Sequence, residues 1–477
     1  MAHGTKLGRI AQDLADLNPW WRSSTWTDAD PDLRAARSSG LDYQSTCLHD
    51  LESGGLYVLR GPRRVGKTVA TKQAIARLVA SGVPPLSIVR LAVDGWEATD
   101  LRTVVQNVTL PRIPEDGHRW WFIDEITGMA GDWPAAVKWL RDNVAAFRGA
   151  TVVVTGSSAP RLTEAIGLWA GRRGAVVDGD RTMLPIGFRT FVDLLLHGGT
   201  SPAPRLPLAD LRSRVAVDAF EQLVPWLGDL TRLWDLYLQY GGFPESVAAA
   251  DAGIGIPTPF VEDLFSIIFR DLFRESQASE TAATDLFSRL MAGMASPANL
   301  HQIGEDVAMS HQTVARHIAY LSNGYLAWSC PQKHDGRWLP LAKAQAKIYA
   351  VDPVIARLPH LRRPTRPDVD MTVLNEMMVG MAIRRAAVES GRSWNGDEFL
   401  FHARTPTRKE IDFVSPLLGG AAIEGKFIED GTWKGEAATV DASPWKGILA
   451  TRSVLDTRDP DRAWAVPSGL LAYLIDT

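Results

Sequence analysis

A chain of 477 residues is too long for one ordinary core and calls for two to four domains. Its 45% hydrophobic and 22% charged residues are those of a soluble globular protein, and a net charge of −4 excludes a uniformly basic coat for nucleic acid while permitting a local basic surface. The two cysteines, Cys47 and Cys330, exclude a disulfide framework and zinc-finger spacing and fit a reducing cytoplasm; residues 1–17 lack the apolar core of a signal peptide, and no run is long enough to span a membrane.

Residues 1–50 read as a helical, aromatic arm carrying Asn18-Pro19-Trp20-Trp21 and Trp26. Tryptophans at such a boundary dock an arm on the next domain or stack on a base. From residue 56 to about 191, strands and helices alternate as in a parallel α/β sheet. Strands are expected at 56–59, 87–93, 119–125 and 150–158, with a fifth at 175–177 or 181–184. A proline-rich stretch at 202–207 breaks this pattern. Helical periodicity follows to about 290, then helix, turn, helix and strand over 296–328. After Pro359 to Pro367 comes a second α/β region, with a helix at 373–387 and strands at 410–414 and 421–427.

The most specific stretch is Gly61, Pro62, Arg63, Arg64, Val65, Gly66, Lys67 and Thr68, which fits G-x-x-x-x-G-K-[ST] at every fixed position. A buried strand precedes it and a helical pattern follows. Glycines let backbone N–H groups approach phosphate, and the helix start adds unpaired donors and a positive dipole end. Lys67 can reach the β- and γ-phosphates of ATP, and Thr68 can hold Mg2+. Downstream, an apolar strand ends in Asp124-Glu125. Asp124 suits metal orientation and Glu125 suits the general base that activates water. Their order resembles that of AAA-type ATPases, which implies that the strand carrying them neighbours the phosphate-loop strand. The next strand ends in Thr155-Gly156-Ser157-Ser158; Ser157 is the first candidate to sense the γ-phosphate, Thr155 the second, with Ser158 as a cap. Gly171-Arg172-Arg173-Gly174 supplies positive charge; the resemblance to AAA assemblies implies Arg172 as a finger that enters a neighbour's site, and so a homo-oligomer.

These pieces, in this order, resemble AAA-superfamily ATP-binding proteins that join an ATPase core to a C-terminal restriction-endonuclease-like domain of the PD-(D/E)XK type. Further matching segments are Leu184 to Phe191, Tyr240-Gly241-Gly242-Phe243-Pro244, Arg270-Asp271-Leu272, Lys347 to Asp352 and Glu410 to Val414. The resemblance implies an α/β fold: a P-loop AAA-type parallel-sheet core (51–200), a helical lid (201–292), a winged helix (293–366) and a nuclease-like domain (367–477).

The residues themselves add two expectations. Between Pro297 and Pro367, nine Lys and Arg against four acids give +5 in a chain of −4 overall. Ser310, Gln312, Thr313 and Arg316 fall on the exposed face of the second helix, where they could reach DNA. Asp412 lies on one strand and Glu424-Gly425-Lys426 on the next. Asp412 and Glu424 could chelate Mg2+ while Lys426 steadies a water, with Glu410 on the same side as Asp412; Glu376, on the preceding helix, resembles the supporting helical acid of the PD-(D/E)XK nucleases. Gly425 departs from the β-branched residue usual in the resembled family and is expected to weaken its strand. The functional expectation is a Mg2+-dependent ATPase acting on DNA, with ATP-gated cleavage. The alternative is a nucleotide-dependent protein switch whose nuclease-like domain only binds.

Overall fold

The computed structural model describes residues 14–107, 110–113, 117–157, 159–176, 178–196, 203–276, 279–392, 399–405, 407–429 and 431–476. Ser158, Val177, Pro202 and the side chains of Arg270, Asp271 and Leu272 lie outside the described residues. The chain divides into two compact units, 1–183 and 184–477.

The first unit is built on a parallel sheet of β1 (Leu56–Arg60), β2 (Ile88–Ala92), β3 (Trp120–Asp124), β4 (Thr151–Gly156) and β5 (Asp180–Thr182), in the order β2-β3-β4-β1-β5. β1, β3 and β4 are buried along their whole length, which is why they read as continuous apolar runs rather than alternating ones. The order corrects one expectation. β4 lies between β1 and β3, so the strand ending in Asp124 is not the neighbour of the phosphate-loop strand. The intervening strand instead carries Thr155 into the gap between them.

The N-terminal arm closes the free edge of this sheet. Asn18 brackets Arg90 of β2, donating Nδ2 to its carbonyl at 3.0 Å and accepting its N–H at 2.6 Å. Trp20 and Trp21 both donate indole N–H groups to the Ile88 carbonyl, at 3.0 and 2.8 Å. An edge strand with unpaired backbone groups is thus covered by side chains. Asp30 caps the Pro31–Ser38 helix and pairs with buried Lys72 at 2.6 Å.

The second unit opens with helices that include Leu227–Tyr240, Pro244–Asp251, Thr258–Ser276 and Glu280–Ala292. Leu300–Asp306 and His311–Asn323 follow, then an antiparallel hairpin of β6 (Ala327–Cys330) and β7 (Lys347–Ala350). Ser310 caps the second of these helices through the Thr313 N–H, as its position in sequence suggests. After the Pro353–Arg362 and Met371–Glu389 helices comes a mixed sheet: β8 (Phe401–Arg404), β9 (Glu410–Val414), β10 (Ala421–Gly425), β11 (Lys446–Thr451) and β12 (Trp464–Pro467). They lie in sequence order, antiparallel from β8 to β10 and parallel from β10 to β12.

The double glycine after Tyr240 has a local cause. The buried carboxylate of Asp352 caps the Pro353–Arg362 helix through Val354 N–H at 2.8 Å and also accepts Gly242 N–H at 2.7 Å. Gly241 has φ +66°, and a Cβ there would stand 2.2 Å from Asp352 Oδ1. Burial pushes the Asp352 carboxyl up to about 6.

Candidate functional site

The phosphate-loop residues lie at the carboxyl end of β1, where parallel α/β sheets present their ligand sites. Gly61 has φ +154°, and a Cβ would meet the Met183 carbonyl oxygen at 2.0 Å, so the loop's tight entry against β5 requires glycine. Arg64 and Gly66 also have positive φ, 66° and 100°, which turns the loop back over the Lys67–Ala80 helix. Pro62 and Val65 are buried, whereas Arg63 and Arg64 are exposed. Lys67 is buried and donates Nζ to the Gly61 carbonyl at 2.9 Å and to that of Pro62 at 2.8 Å. Burial lowers its ammonium from 10.5 to about 8, with Glu125 and Asp124 pulling the other way.

The two acids at the end of β3 take separate roles. Asp124 is buried between Arg90 Nη2, 2.6 Å from its Oδ2, and Thr155 Oγ1, which donates to its Oδ1 at 2.6 Å. Burial alone would raise this carboxyl; Arg90, Thr155 and the Thr68 hydroxyl together hold it below the ordinary value. Glu125 leaves the strand with φ +56° and ψ +45°, and its N–H is fixed by Thr155 Oγ1 at 2.9 Å. Its half-buried carboxylate meets two hydroxyls. Ser157 Oγ donates to Glu125 Oε1 at 2.9 Å and Thr127 Oγ1 to the same oxygen at 3.3 Å. Arg63 Nε approaches Ser157 Oγ at 3.5 Å.

The structure therefore joins Lys67, Thr68, Asp124, Glu125, Thr155 and Ser157 in one constellation, with Thr155 bridging both acids and Ser157 on Glu125. Arg90 and Thr127 are additions that motif reading passes over. Arg90 carried a signal, because a charged residue inside the buried run Ile88-Val89-Arg90-Leu91 demands a partner. Arg172 is held in a forked pair with Asp142, Nε to Oδ1 at 2.6 Å and Nη2 to Oδ2 at 2.9 Å, and Arg173 is paired with Asp180. The donor set fits magnesium nucleotide: a threonine hydroxyl bonded to a carboxylate, beside a lysine in a glycine-turned loop.

In the second unit, Asp412, Glu424, Lys426, Glu376 and Glu410 also converge, around a residue that was not singled out for chemistry. Lys347 of β7 has no exposed side-chain surface, and its Nζ lies 2.9 Å from Glu376, 2.7 Å from Glu410 and 2.9 Å from Asp412. Burial opposes its charge, but the Asp412, Glu376 and Glu410 carboxylates more than offset this and hold it well above the ordinary lysine value. Asp412 accepts Gly425 N–H at 2.9 Å through its other oxygen. Lys426 lies just past the end of β10, with Nζ 3.7 Å from both Glu424 Oε2 and Glu436 Oε2. Burial and the neighbouring Asp412 charge push Glu424 up to about 8 and Glu376 up to about 7. Gly425 has a packing role that the expectation of a weakened strand overlooks: a Cβ there would stand 3.0 Å from Cα and Cβ of Glu376. The missing side chain lets the Met371–Glu389 helix lie against β10.

The basic segment also reads differently in three dimensions. Lys347 is buried among acids, Arg357 pairs with Asp368, Arg362 with Glu262 and Glu280, and Arg366 with Asp285. Four of the nine positive charges are thus neutralised, all four by acids outside the counted segment. Gln312 and Arg316 are exposed on the His311–Asn323 helix, Thr313 is half-buried, and Arg316 Nη2 donates to Thr313 Oγ1 at 3.3 Å.

Residues 53–192 match the family model of an AAA domain, and residues 231–363 match a domain of unknown function. No curated protein matches the chain. Among solved structures, a Walker-type ATPase of Pyrococcus abyssi is similar at 12% identity over 64% of this chain and 91% of that one, with a TM-score of 0.35. The ORC2 protein of Aeropyrum pernix is similar at 12% identity over 70% and 93%, TM-score 0.32. RuvB of Thermotoga maritima is similar at 15% identity over 58% and 82%, TM-score 0.25. Likenesses at such scores carry no argument for function. Among the described residues no helix is long and apolar enough to cross a membrane.

Proposed function

We propose that residues 53–192 bind and hydrolyse ATP with Mg2+. The observation that carries this is the meeting of Lys67, Thr68, Asp124 and Glu125 at one end of the sheet, with Thr155 bonded to the Asp124 carboxylate and the Glu125 backbone N–H. Bound magnesium, held by Thr68 with Asp124 behind it, would draw charge from the β- and γ-phosphates. Lys67 would leave the Gly61 and Pro62 carbonyls for phosphate oxygens. Arg90 keeps Asp124 ionised, and Glu125 accepts the proton of the attacking water while Ser157 and Thr127 fix its carboxylate. In this reading Arg172 serves a neighbouring subunit only after releasing Asp142, so self-association is part of the proposal and not of the geometry.

DNA as a partner rests on the exposed Gln312 and Arg316 of a helix that would sit in a winged helix, and on the basic residues that make no ion pair among the described residues. The neutralisation of Lys347, Arg357, Arg362 and Arg366 favours the second reading, a nucleotide-dependent switch whose C-terminal sheet binds without cutting.

A fluorescent ATP analogue tests the nucleotide site through pH. Free Lys67 has its proton affinity lowered to about 8, and phosphate would raise it again. Binding therefore takes up a proton above that pH. Affinity is expected to be unaffected by this group below pH 8 and to weaken above it, by up to about tenfold per pH unit. Absence of binding at every pH would remove the assignment.

A further inference from the structure

The resemblance to PD-(D/E)XK nucleases places magnesium between Asp412 and Glu424, and the residues there do not leave room for it. Lys347 Nζ takes Glu376 Oε1, Glu410 Oε1 and Asp412 Oδ1 at 2.7–2.9 Å from a position with no exposed side-chain surface. Tyr349, two residues along β7, donates its hydroxyl to Glu376 Oε1 at 2.5 Å, and Gly425 N–H takes the remaining oxygen of Asp412 at 2.9 Å. Among the described residues no group of three or more His, Cys, Asp or Glu side chains is placed to hold a metal ion. Glu424 keeps one buried oxygen, Oε1, without a hydrogen-bond partner, while its Oε2 lies 3.7 Å from Lys426 Nζ.

We infer that Lys347 is the resident cation of this carboxylate cluster and that a divalent metal enters only when its ammonium withdraws. The acids come from the Met371–Glu389 helix, β9 and β10, whereas the ammonium comes from the β6–β7 hairpin. The ion pairs thus fasten the hairpin to the C-terminal sheet. The same hairpin joins that sheet through backbone bonds, Lys333 N–H to the His402 carbonyl at 2.8 Å and His402 N–H to that of Pro331 at 3.0 Å. With Lys347 withdrawn, Glu376, Glu410, Asp412 and Glu424 would face Lys426 as the remaining close lysine, with His402 and Arg404 each 3.9 Å from Glu410. That imbalance is what a hard divalent cation with oxygen ligands answers. The inference deepens the non-cutting reading of the C-terminal sheet and is independent of ATP hydrolysis, so either can fail without the other.

The test uses the full chain, nucleotide-free, as wild type, Lys347→Met, and Lys347→Met with Asp412→Asn. Mn2+ binding is followed by electron paramagnetic resonance and stability by thermal melting. Wild type is expected to show no Asp412-dependent Mn2+ binding and no shift in melting on adding Mn2+. Lys347→Met should melt several degrees lower, recover with Mn2+, and lose that recovery when Asp412→Asn is added. Wild-type Mn2+ binding that Asp412→Asn abolishes would overturn the inference, as would Lys347→Met melting like wild type and taking no metal. Should Lys347→Met fail to fold even with Mn2+, the wild-type titration decides alone by the same Asp412 criterion.

Discussion

Glu125→Gln is expected to bind Mg·ATP about as tightly as the parent and to hydrolyse it roughly 10²- to 10⁴-fold more slowly, the range for removing a general base. The substitution is nearly isosteric. Ser157 and Thr127 hydroxyls reach Glu125 Oε1 at 2.9 and 3.3 Å, and a hydroxyl can donate to or accept from an amide. The backbone is unaffected, because its left-handed turn is fixed by Thr155 Oγ1 on the Glu125 N–H. A non-glycine residue in that conformation costs on the order of 1 kcal/mol and persists where its surroundings hold it. Here Asp124 stays with Arg90, Thr155 and Thr68, while the Glu125 carboxylate accepts from Ser157 and Thr127. Unchanged turnover in Glu125→Gln would place the base elsewhere. Loss of nucleotide binding would make Glu125 structural instead.

Arg90→Met should destabilise the first unit by about 3–5 kcal/mol, the cost of leaving a buried carboxylate without its partner. Both members of the pair are under a tenth exposed, and Nη2 lies 2.6 Å from Asp124 Oδ2. The pH dependence distinguishes this cause from lost packing. In the parent the Asp124 carboxyl is held below 3.8, so its contribution is present above that value and lost as pH falls through the folded value. Without Arg90, burial dominates and raises the carboxyl. The sign then reverses, and Arg90→Met should be more stable in urea at pH 5 than at pH 8. A loss that is equal at both pH values would show that Arg90 matters for packing alone.

Much of the proposed nucleotide site is legible from local pattern. The glycine-lysine-threonine spacing, the strand ending in two acids and the small hydroxyl residues after the next strand are short-range features, and the fold brings them together. What local pattern could not supply was which strands lie side by side. The strand ending in Asp124 is not beside the phosphate-loop strand because β4 intervenes, and that interposition is what brings Thr155 to the Asp124 carboxylate and the Glu125 N–H. Arg90 and Lys347 were hidden for the same reason. Each is a charge in an otherwise apolar buried strand, and its partners come from elements 29 to 65 residues away. Counting charge along the segment overstated a basic surface, because Glu262, Glu280, Asp285 and Asp368 fold onto it from outside the counted acids. Gly425 shows the converse. A residue that looks like a defect in a strand is a contact point when a helix passes 3.0 Å from where its Cβ would be.

The claim that residues 53–192 are an ATP-hydrolysing centre is tested most directly by phosphate release from ATP and Mg2+, measured on purified wild type and Lys67→Ala in parallel. Lys67 is the buried cation of the loop, held on the Gly61 and Pro62 carbonyls at 2.9 and 2.8 Å. Steady release by wild type that Lys67→Ala reduces to background is the predicted result. Equal release from the two proteins, or none from wild type that binds ATP, would contradict it.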